Sequence, residues 1–346
     1  MRSVELRSDT FTLPSEAMRD AMALAEVGDD VFGEDPSVNH LQEMAAERIG
    51  KEAALYVPSG AMANLVSLLT HCDRGDEIYL GDRSHIFIYE AGSSAAVGGL
   101  HPHPLPNNED GTINLEAIEA AVRPDDSHFP RSRLLCLENT HNRCWGSPLS
   151  LDYMERVWEL AGRIGLKVHL DGARIFNAAL AEAVEPKELV RGCDSVSFCL
   201  SKGLGAPVGS LVCGSKDFIR KAHRIRKQLG GGMRQAGIIA AGGIYALENM
   251  LERLAEDHAM ARRLAEGIDG IKGLETQVER VRTNIVFFHV VDERLTVAQF
   301  VERAAAKGVR FLPVQGRQLR MVTHYGLNME DIDWAVQVLK EMMETL

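Results

Sequence analysis

The sequence is short of positive charge, of aromatic residues and of long apolar runs. It carries 38 basic residues against 49 acidic ones, a formal charge of −11. A general nucleic-acid binder needs a basic surface to displace counterions, so that class is excluded. No stretch approaches about 18 uninterrupted apolar residues, so no membrane-spanning helix is expected. The opening segment MRSVELRSDTFTLP lacks an apolar core of signal-peptide type, and a cytoplasmic location is expected. Internal repeats and low-complexity tracts are absent. The six cysteines are Cys72, Cys136, Cys144, Cys193, Cys199 and Cys213, and none forms a C-x-x-C pair. Several sit in apolar stretches such as LLCLE and SVSFCLS, so buried reduced thiols are expected rather than a disulfide framework or a zinc site.

What is present is an ordinary globular composition over 346 residues, with 45% hydrophobic and 25% charged side chains. That length suits one large domain and one smaller one. From roughly residue 55 to 215, short β-like runs alternate with helical segments. The expected strands are Glu77–Leu80, Leu134–Glu138, Lys167–Asp171, Ser195–Cys199 and Ser210–Cys213, and helices are expected after Ser59-Gly60 and over Leu151–Ile164. Short, apolar, β-branched strands of this kind are covered on both faces, as in an α/β domain with a largely parallel sheet. After about residue 250 the pattern changes to helix, strand Asn284–Val291, helix, strands Val309–Val314 and Gln318–Thr323, and a final amphipathic helix. This ending predicts a small α+β domain over 251–346, with 15–250 as the large domain and 1–14 as an N-terminal arm.

Four segments carry chemistry. In KVHLDGAR, a strand ends at Asp171, followed by two small residues and Arg174. Ligands of open parallel sheets bind at the carboxyl ends of strands, so Asp171 could face a flat ring; a helix-capping role is the plain alternative. In DSVSFCLSKGLGAP, a buried strand runs into Lys202 and a glycine-rich turn. A desolvated lysine is a nucleophile for a carbonyl. The P-loop pattern does not fit this segment, and no G-x-G-x-x-G follows a strand. In PSGAMAN, Ser59, Gly60 and Ala61 open a helix whose unpaired N–H groups suit a phosphate. In SHIFIYE, His85 follows a strand end, with Glu90 five residues on. A trapping lysine, an acid opposite a ring nitrogen, a phosphate cradle and a stacking histidine together describe a pyridoxal phosphate site.

The sequence also resembles a known family, the L-threonine aldolases of the aspartate-aminotransferase fold type. The resemblance spans nearly the whole chain. It rests on LRSDTFTLP, EVGDDVFGEDP, KEAALYVPSGAMANL, SHIFIYEAG, HFPRSRLLCLENTHN, HLDGARIFNAA, CLSKGLGAPVGSLVCG, GGGMRQAG and LRMVTH. It implies a fold type I large domain binding pyridoxal 5'-phosphate, a small C-terminal domain, and retro-aldol cleavage of L-threonine, L-allo-threonine and related β-hydroxy-α-amino acids to glycine and an aldehyde. It implies Lys202 as the Schiff-base lysine, Asp171 at the pyridine nitrogen, and His85 stacked on the ring. It places Ser59, Gly60, Ala61 and Arg234 at the phosphate, and Ser8, Arg174 and Arg320 at the substrate carboxylate. His128 falls near the β-hydroxyl; His85, His128 and, more weakly, Glu90 are the candidate bases. An arm reaching the active site and a homotetramer with sites at subunit interfaces are also implied.

The chain departs from the family twice. It reads SGAMAN where the family has SGTMAN, which removes a hydroxyl at Ala61. After ENTHN it reads RCWGSPLS, with Trp145 in a loop expected near other subunits. Other readings are a β-eliminating lyase, an aminotransferase, a phenylserine aldolase or a catalytically silent cofactor-binding protein. A histidine-based metal enzyme rests only on His101-Pro-His103, with no H-E-x-x-H helix beside it, and no metal is expected.

Overall fold

A computed structural model describes residues 2–345 of the chain. Its centre is a sheet of seven strands in the order Ala53–Val57, Ser210–Gly214, Ser195–Cys199, Lys167–Asp171, Ser132–Glu138, Glu77–Gly81 and His101–Leu105. The last five of these run parallel to one another, while Ser210–Gly214 runs antiparallel to both of its neighbours. The sheet is therefore mainly parallel, and its strand carboxyl ends gather at one edge. Every residue of Ser195–Cys199 is buried, because helices cover both faces.

Local signals set the helices that frame this edge. Ser59 caps Gly60–His71, its Oγ accepting from the Met62 N–H. Ser150 caps Leu151–Ile164, which ends where Gly165 takes a left-handed φ of 77°. Asn328 and Asp331 form a reciprocal capping box at the start of Met329–Glu344.

Most core residues fall into two large clusters. One surrounds the seven-stranded sheet and includes Met18, Leu41, Tyr56 and Phe198. The other includes Met260, Phe288, Phe300 and Leu339 beneath a four-stranded antiparallel sheet. Val4 and Leu6 belong to the second cluster, not the first. Val4–Glu5 pairs in parallel with Val309–Arg310, so the start of the chain is stitched to its end. The arm then crosses towards the large sheet, carrying Ser8 with it.

Two strands of the seven-stranded sheet were not expected from the sequence. Ala53–Val57 begins with two alanines, which carry little strand signal. His101–Leu105 contains Pro102 and Pro104, which a sheet tolerates at the edge position this strand occupies. The expected strand Val309–Val314 is interrupted at Phe311, whose ring packs into the second cluster. The halves Val309–Arg310 and Leu312–Gln315 serve different sheets. All six cysteines are buried and unpaired.

Candidate active site

Lys202 lies three residues beyond Cys199, at the carboxyl end of a central strand. It opens into a cleft of about 360 Å³ between the large sheet and the small one. Ser8, His85, Tyr89, Arg174 and Arg320 line the same cleft, with Phe287 and Val314 on the small-sheet side. Four of the residues expected at a site, Ser8, His85, Arg174 and Arg320, therefore converge with Lys202, although they come from the arm, the large sheet and the small sheet.

Asp171 is buried at the end of its strand, 4% exposed. Its Oδ1 accepts the Ala173 N–H at 3.0 Å and its Oδ2 accepts from Asn64 Nδ2 at 2.8 Å. The other proton of that Asn64 amide goes to Glu90 Oε1 at 2.7 Å. Glu90 Oε1 also meets His85 Nδ1 at 2.8 Å. The carboxylate can only accept, so Nδ1 carries the proton and His85 Nε2 is left bare. Burial and the nearby Asp171 charge push the Glu90 carboxyl up. Burial opposes protonation of His85, but the Glu90 bond and the Asp171 charge outweigh it and raise the imidazole above its ordinary value.

Ligand atoms of His85, Glu90 and Asp171 lie within 4.8 Å of one another, near enough to surround a cation. Asn64 already places an N–H on each carboxylate, so these acids are arranged around donors. Glu90 does not line the cleft; it stands behind His85, with a side chain 1% exposed. It reaches a substrate only through His85.

The two arginines differ in what they leave free. Arg174 Nε and Nη2 fork around Asp9 at 2.6 and 2.7 Å, which leaves Nη1. Arg320 gives Nη1 to Asn142 Oδ1 at 2.8 Å and Nη2 to the Arg7 carbonyl at 3.2 Å. Its buried Nε has no partner. A buried, unpaired guanidinium N–H on a residue that lines a cleft is a donor that suits an anion. Burial and the neighbouring Arg174 charge lower the Arg320 pKa, and a bound carboxylate would reverse that.

Ser59, Gly60 and Ala61 do not line the cleft itself but turn beside the strand end that leads to Lys202. A Cβ on Gly60 would lie 2.8 Å from Cys199 Sγ, so only glycine brings this helix start so close. The Gly60 and Ala61 N–H groups take no backbone or side-chain acceptor among the described residues. The nearby Ser210 Oγ is buried and unpaired as well. Free N–H groups at the start of a twelve-residue helix, beside an unused hydroxyl, fit a phosphate.

Two expected site residues stand elsewhere in their own chain. The His128 side chain is 84% exposed and bonded to Asp126. Arg234 is bonded to Asp29 at 2.9 Å, with its side chain 55% exposed. Neither lines the cleft. Trp145, in the loop expected near other subunits, is buried inside its own chain. Its ring packs 5.5 Å from that of Phe287, joining the cleft wall to Ile285 and Val322. That packing holds Trp145 at a left-handed φ of 61°, which costs a non-glycine residue about 1 kcal/mol or more. His101 and His103 both turn Nδ1 to the buried Glu77, which Arg123 also grips. That set neutralises one carboxylate at the opposite end of the sheet from Lys202.

Several site residues went unread in the sequence. Asp9 adjoins Ser8, and Asn64 closes the PSGAMAN segment, yet neither was singled out. Glu138 accepts the His85 N–H at 2.6 Å and the Asn142 N–H at 2.8 Å, so it pins both residues at the cleft. Glu138 and Asn142 both lie in ENTHN, and that shared segment was the available signal.

The family profile described as Beta-eliminating lyase matches residues 5–293. A relative from Arabidopsis thaliana named low-specificity L-threonine aldolase 1 is 48% identical, covering 100% of this chain and 98% of its own. One from Escherichia coli K12 named low specificity L-threonine aldolase is 46% identical over 95% of this chain and 96% of its own. Among solved structures, a putative L-allo-threonine aldolase from Listeria monocytogenes superposes with a TM-score of 0.81 at 18% identity, covering 94% of this chain and 93% of that one. A Leishmania major threonine aldolase gives 0.81 at 19% identity, covering 97% and 98%. These two structures establish the shared fold.

Proposed function

Since the chain belongs to the beta-eliminating lyase family and, within it, to the low-specificity L-threonine aldolases, we propose that the cleft around Lys202 is where it performs that family's reaction. The protein is a pyridoxal phosphate-dependent carbon–carbon lyase that cleaves L-threonine and related β-hydroxy-α-amino acids to glycine and an aldehyde. When bound, the cofactor supplies an aldehyde for an amine and a ring that takes up the electron pair of the breaking Cα–Cβ bond.

The chain's own residues do the rest. Lys202 would hold the cofactor through its amine, Asp171 would pair with the ring nitrogen, and His85 would stack on the ring. The Gly60 and Ala61 N–H groups, with the Ser59 turn, hold the phosphate. Arg320 Nε, Arg174 Nη1 and Ser8 bind the substrate carboxylate. Fixing that group from two sides orients Cα so that the bond to be broken stands across the ring plane. His85 Nε2, left bare by the Glu90 bond, is placed to receive the β-hydroxyl proton directly or through water. Glu90 keeps the tautomer and is a positioning residue.

The observation that carries this reading is Arg320 Nε, a buried donor without a partner in the same cleft as Lys202. The test is product analysis with L-threonine. Glycine plus acetaldehyde supports the reading; ammonia plus an oxo acid overturns it in favour of elimination or transamination.

The same reading makes the protein a homotetramer whose subunits complete each other's sites. His128 and Arg234 are exposed and off the cleft in their own chain, and Leu24 and Phe32 are 83% and 73% exposed. Large apolar groups left so open suit a subunit interface. Residues 1–14 serve as the arm, 15–250 as the cofactor domain and 251–346 as the small domain. No described helix is long and apolar enough to cross a membrane. Six unpaired thiols suit a reducing compartment such as the cytoplasm.

A further inference from the structure

Behind Asp171 a buried polar seam runs between helix Gly60–His71 and the sheet. Asn64 and His71 stand seven residues apart on that helix, hence on one face, two turns from each other. On the sheet, His169 and Asp171 lie opposite Ser195 and Ser197 in neighbouring parallel strands. Alternation puts all four side chains on the face that the helix covers. Asn64, His169, Ser195, Ser197 and Asp171 are each no more than 4% exposed. A polar seam this deep is tolerated only when its members satisfy one another.

The bonds fix the direction of every proton in it. Asn64 Nδ2 gives one N–H to Asp171 and one to Glu90. Its Oδ1 accepts from Ser197 Oγ at 2.8 Å and from His169 Nε2 at 3.2 Å. Turning the amide over would set its oxygen against two carboxylates, so the orientation is determined. His169 must then carry its proton on Nε2, and its bare Nδ1 accepts from Ser195 Oγ at 2.8 Å. With its own proton so used, Ser195 Oγ accepts from His71 Nε2 at 2.8 Å. All donors point one way, from His71 to Ser195 to His169 to Asn64 to the carboxylates. Bonds aligned in series polarise each other.

We propose that Asn64 and His169 are positioning residues of the active site, which aim Asp171 at the cofactor's ring nitrogen and set how strongly it holds that proton. This rests on the reading of Asp171 as the ring-nitrogen partner. Only donors meet Asp171 from behind, so its oxygens are held as acceptors and in one orientation. Asn64 also keeps the Asp171 and Glu90 carboxylates apart in function, one for the ring nitrogen and one for His85. The far end, His71, reaches a surface cleft of about 410 Å³ beside Arg133, so influence weakens from Asn64 to His71.

The test compares holoenzymes carrying Asn64→Asp, His169→Phe, His169→Gln and Asp171→Asn. Asn64→Asp replaces the two donors with an acceptor at constant size. Outer partners of this kind typically govern about tenfold to hundredfold effects. The expected result is pyridoxal phosphate binding weakened on that scale, with a displaced pH midpoint of the bound cofactor's visible absorbance. The kcat falls while KM for L-threonine stays within about twofold, since the carboxylate site is untouched. His169→Phe shifts the midpoint the same way by less, and His169→Gln, which retains an N–H for Asn64, restores it. A native midpoint and native cofactor affinity in His169→Phe, with only the melting temperature lowered, overturns the proposal. Should Asn64→Asp fail to fold, the two His169 variants decide alone. If Asp171→Asn itself leaves cofactor affinity and midpoint unchanged, the ring-nitrogen reading has failed instead.

Discussion

Arg174 and Asp9, 165 residues apart in the chain, form a forked ion pair at the floor of the cleft, with side chains 5% and 0% exposed. Burial opposes ionisation of Asp9, but the Arg174 guanidinium outweighs it and holds the carboxyl well below the usual range. The arm residue thereby fixes the arginine proposed to bind the substrate carboxylate. Removing one partner of a buried pair costs about 3–5 kcal/mol, because the other is left charged and alone. Asp9→Ala is expected to lose stability on that scale and to raise KM for L-threonine about tenfold or more by releasing Arg174. Urea denaturation and steady-state kinetics check both parts. An unchanged KM in the folded variant would show that Arg174 does not depend on the arm.

Lys202→Ala removes the amine that holds the cofactor. The variant is expected to lose turnover and the visible absorbance band given by covalent attachment to the protein. Spectra of the purified variant decide it: persistence of that band sinks the lysine assignment.

Ala61 sits in the first turn of helix Gly60–His71, with its side chain exposed and its N–H unused. Ala61→Thr adds a hydroxyl where the phosphate is expected. A hydrogen bond to a charged group is worth about 1.5–3 kcal/mol, so cofactor binding should tighten about tenfold or more. Equilibrium dialysis of the apoprotein measures this, and an unchanged dissociation constant would place the phosphate elsewhere.

Much of the site was legible because a strand end followed by small residues is a local pattern. Asp171, Arg174 and Lys202 each adjoin such an end, and the large parallel sheet followed from the same runs. What stayed hidden were partners rather than positions. Nothing near Asp9 signals an arginine 165 residues away, and nothing near Asn64 signals Asp171, 107 residues away. The strand His101–Leu105 was hidden because prolines argue against a strand unless its edge position is known. The packing of Trp145 against Phe287 was equally hidden, because the two residues lie far apart in the chain.

His128 and Arg234 frame a test of assembly. If His128 acts across a subunit interface, Lys202→Ala and His128→Ala subunits should complement each other. Random co-assembly in equal amounts would give sites with both residues intact, roughly a quarter of the total. Co-expression followed by a threonine cleavage assay reads this directly. No activity above either single variant would place His128 in its own chain's site or outside catalysis.

His169 ties the buried seam to acid stability. Burial lowers its pKa from 6.5 to about 4, since a charged ring there would lack solvent and would have to reverse its bond from Ser195. In the unfolded chain the ring protonates near 6.5. A folded value below the unfolded one means that the unfolded state binds the proton first. The stabilising contribution is therefore complete above about pH 6.5 and is lost as pH falls through about 4. Each pH unit of that separation is worth about 1.4 kcal/mol, so the whole is on the order of 3 kcal/mol. His169→Gln keeps a donor for Asn64 but does not titrate. Its unfolding free energy, measured between pH 7.5 and 4.5, is expected to fall less steeply than that of the unaltered protein. Parallel slopes would show that the ring titrates alike in the folded and the unfolded chain, and the donor order assigned along the seam would then have to be redrawn.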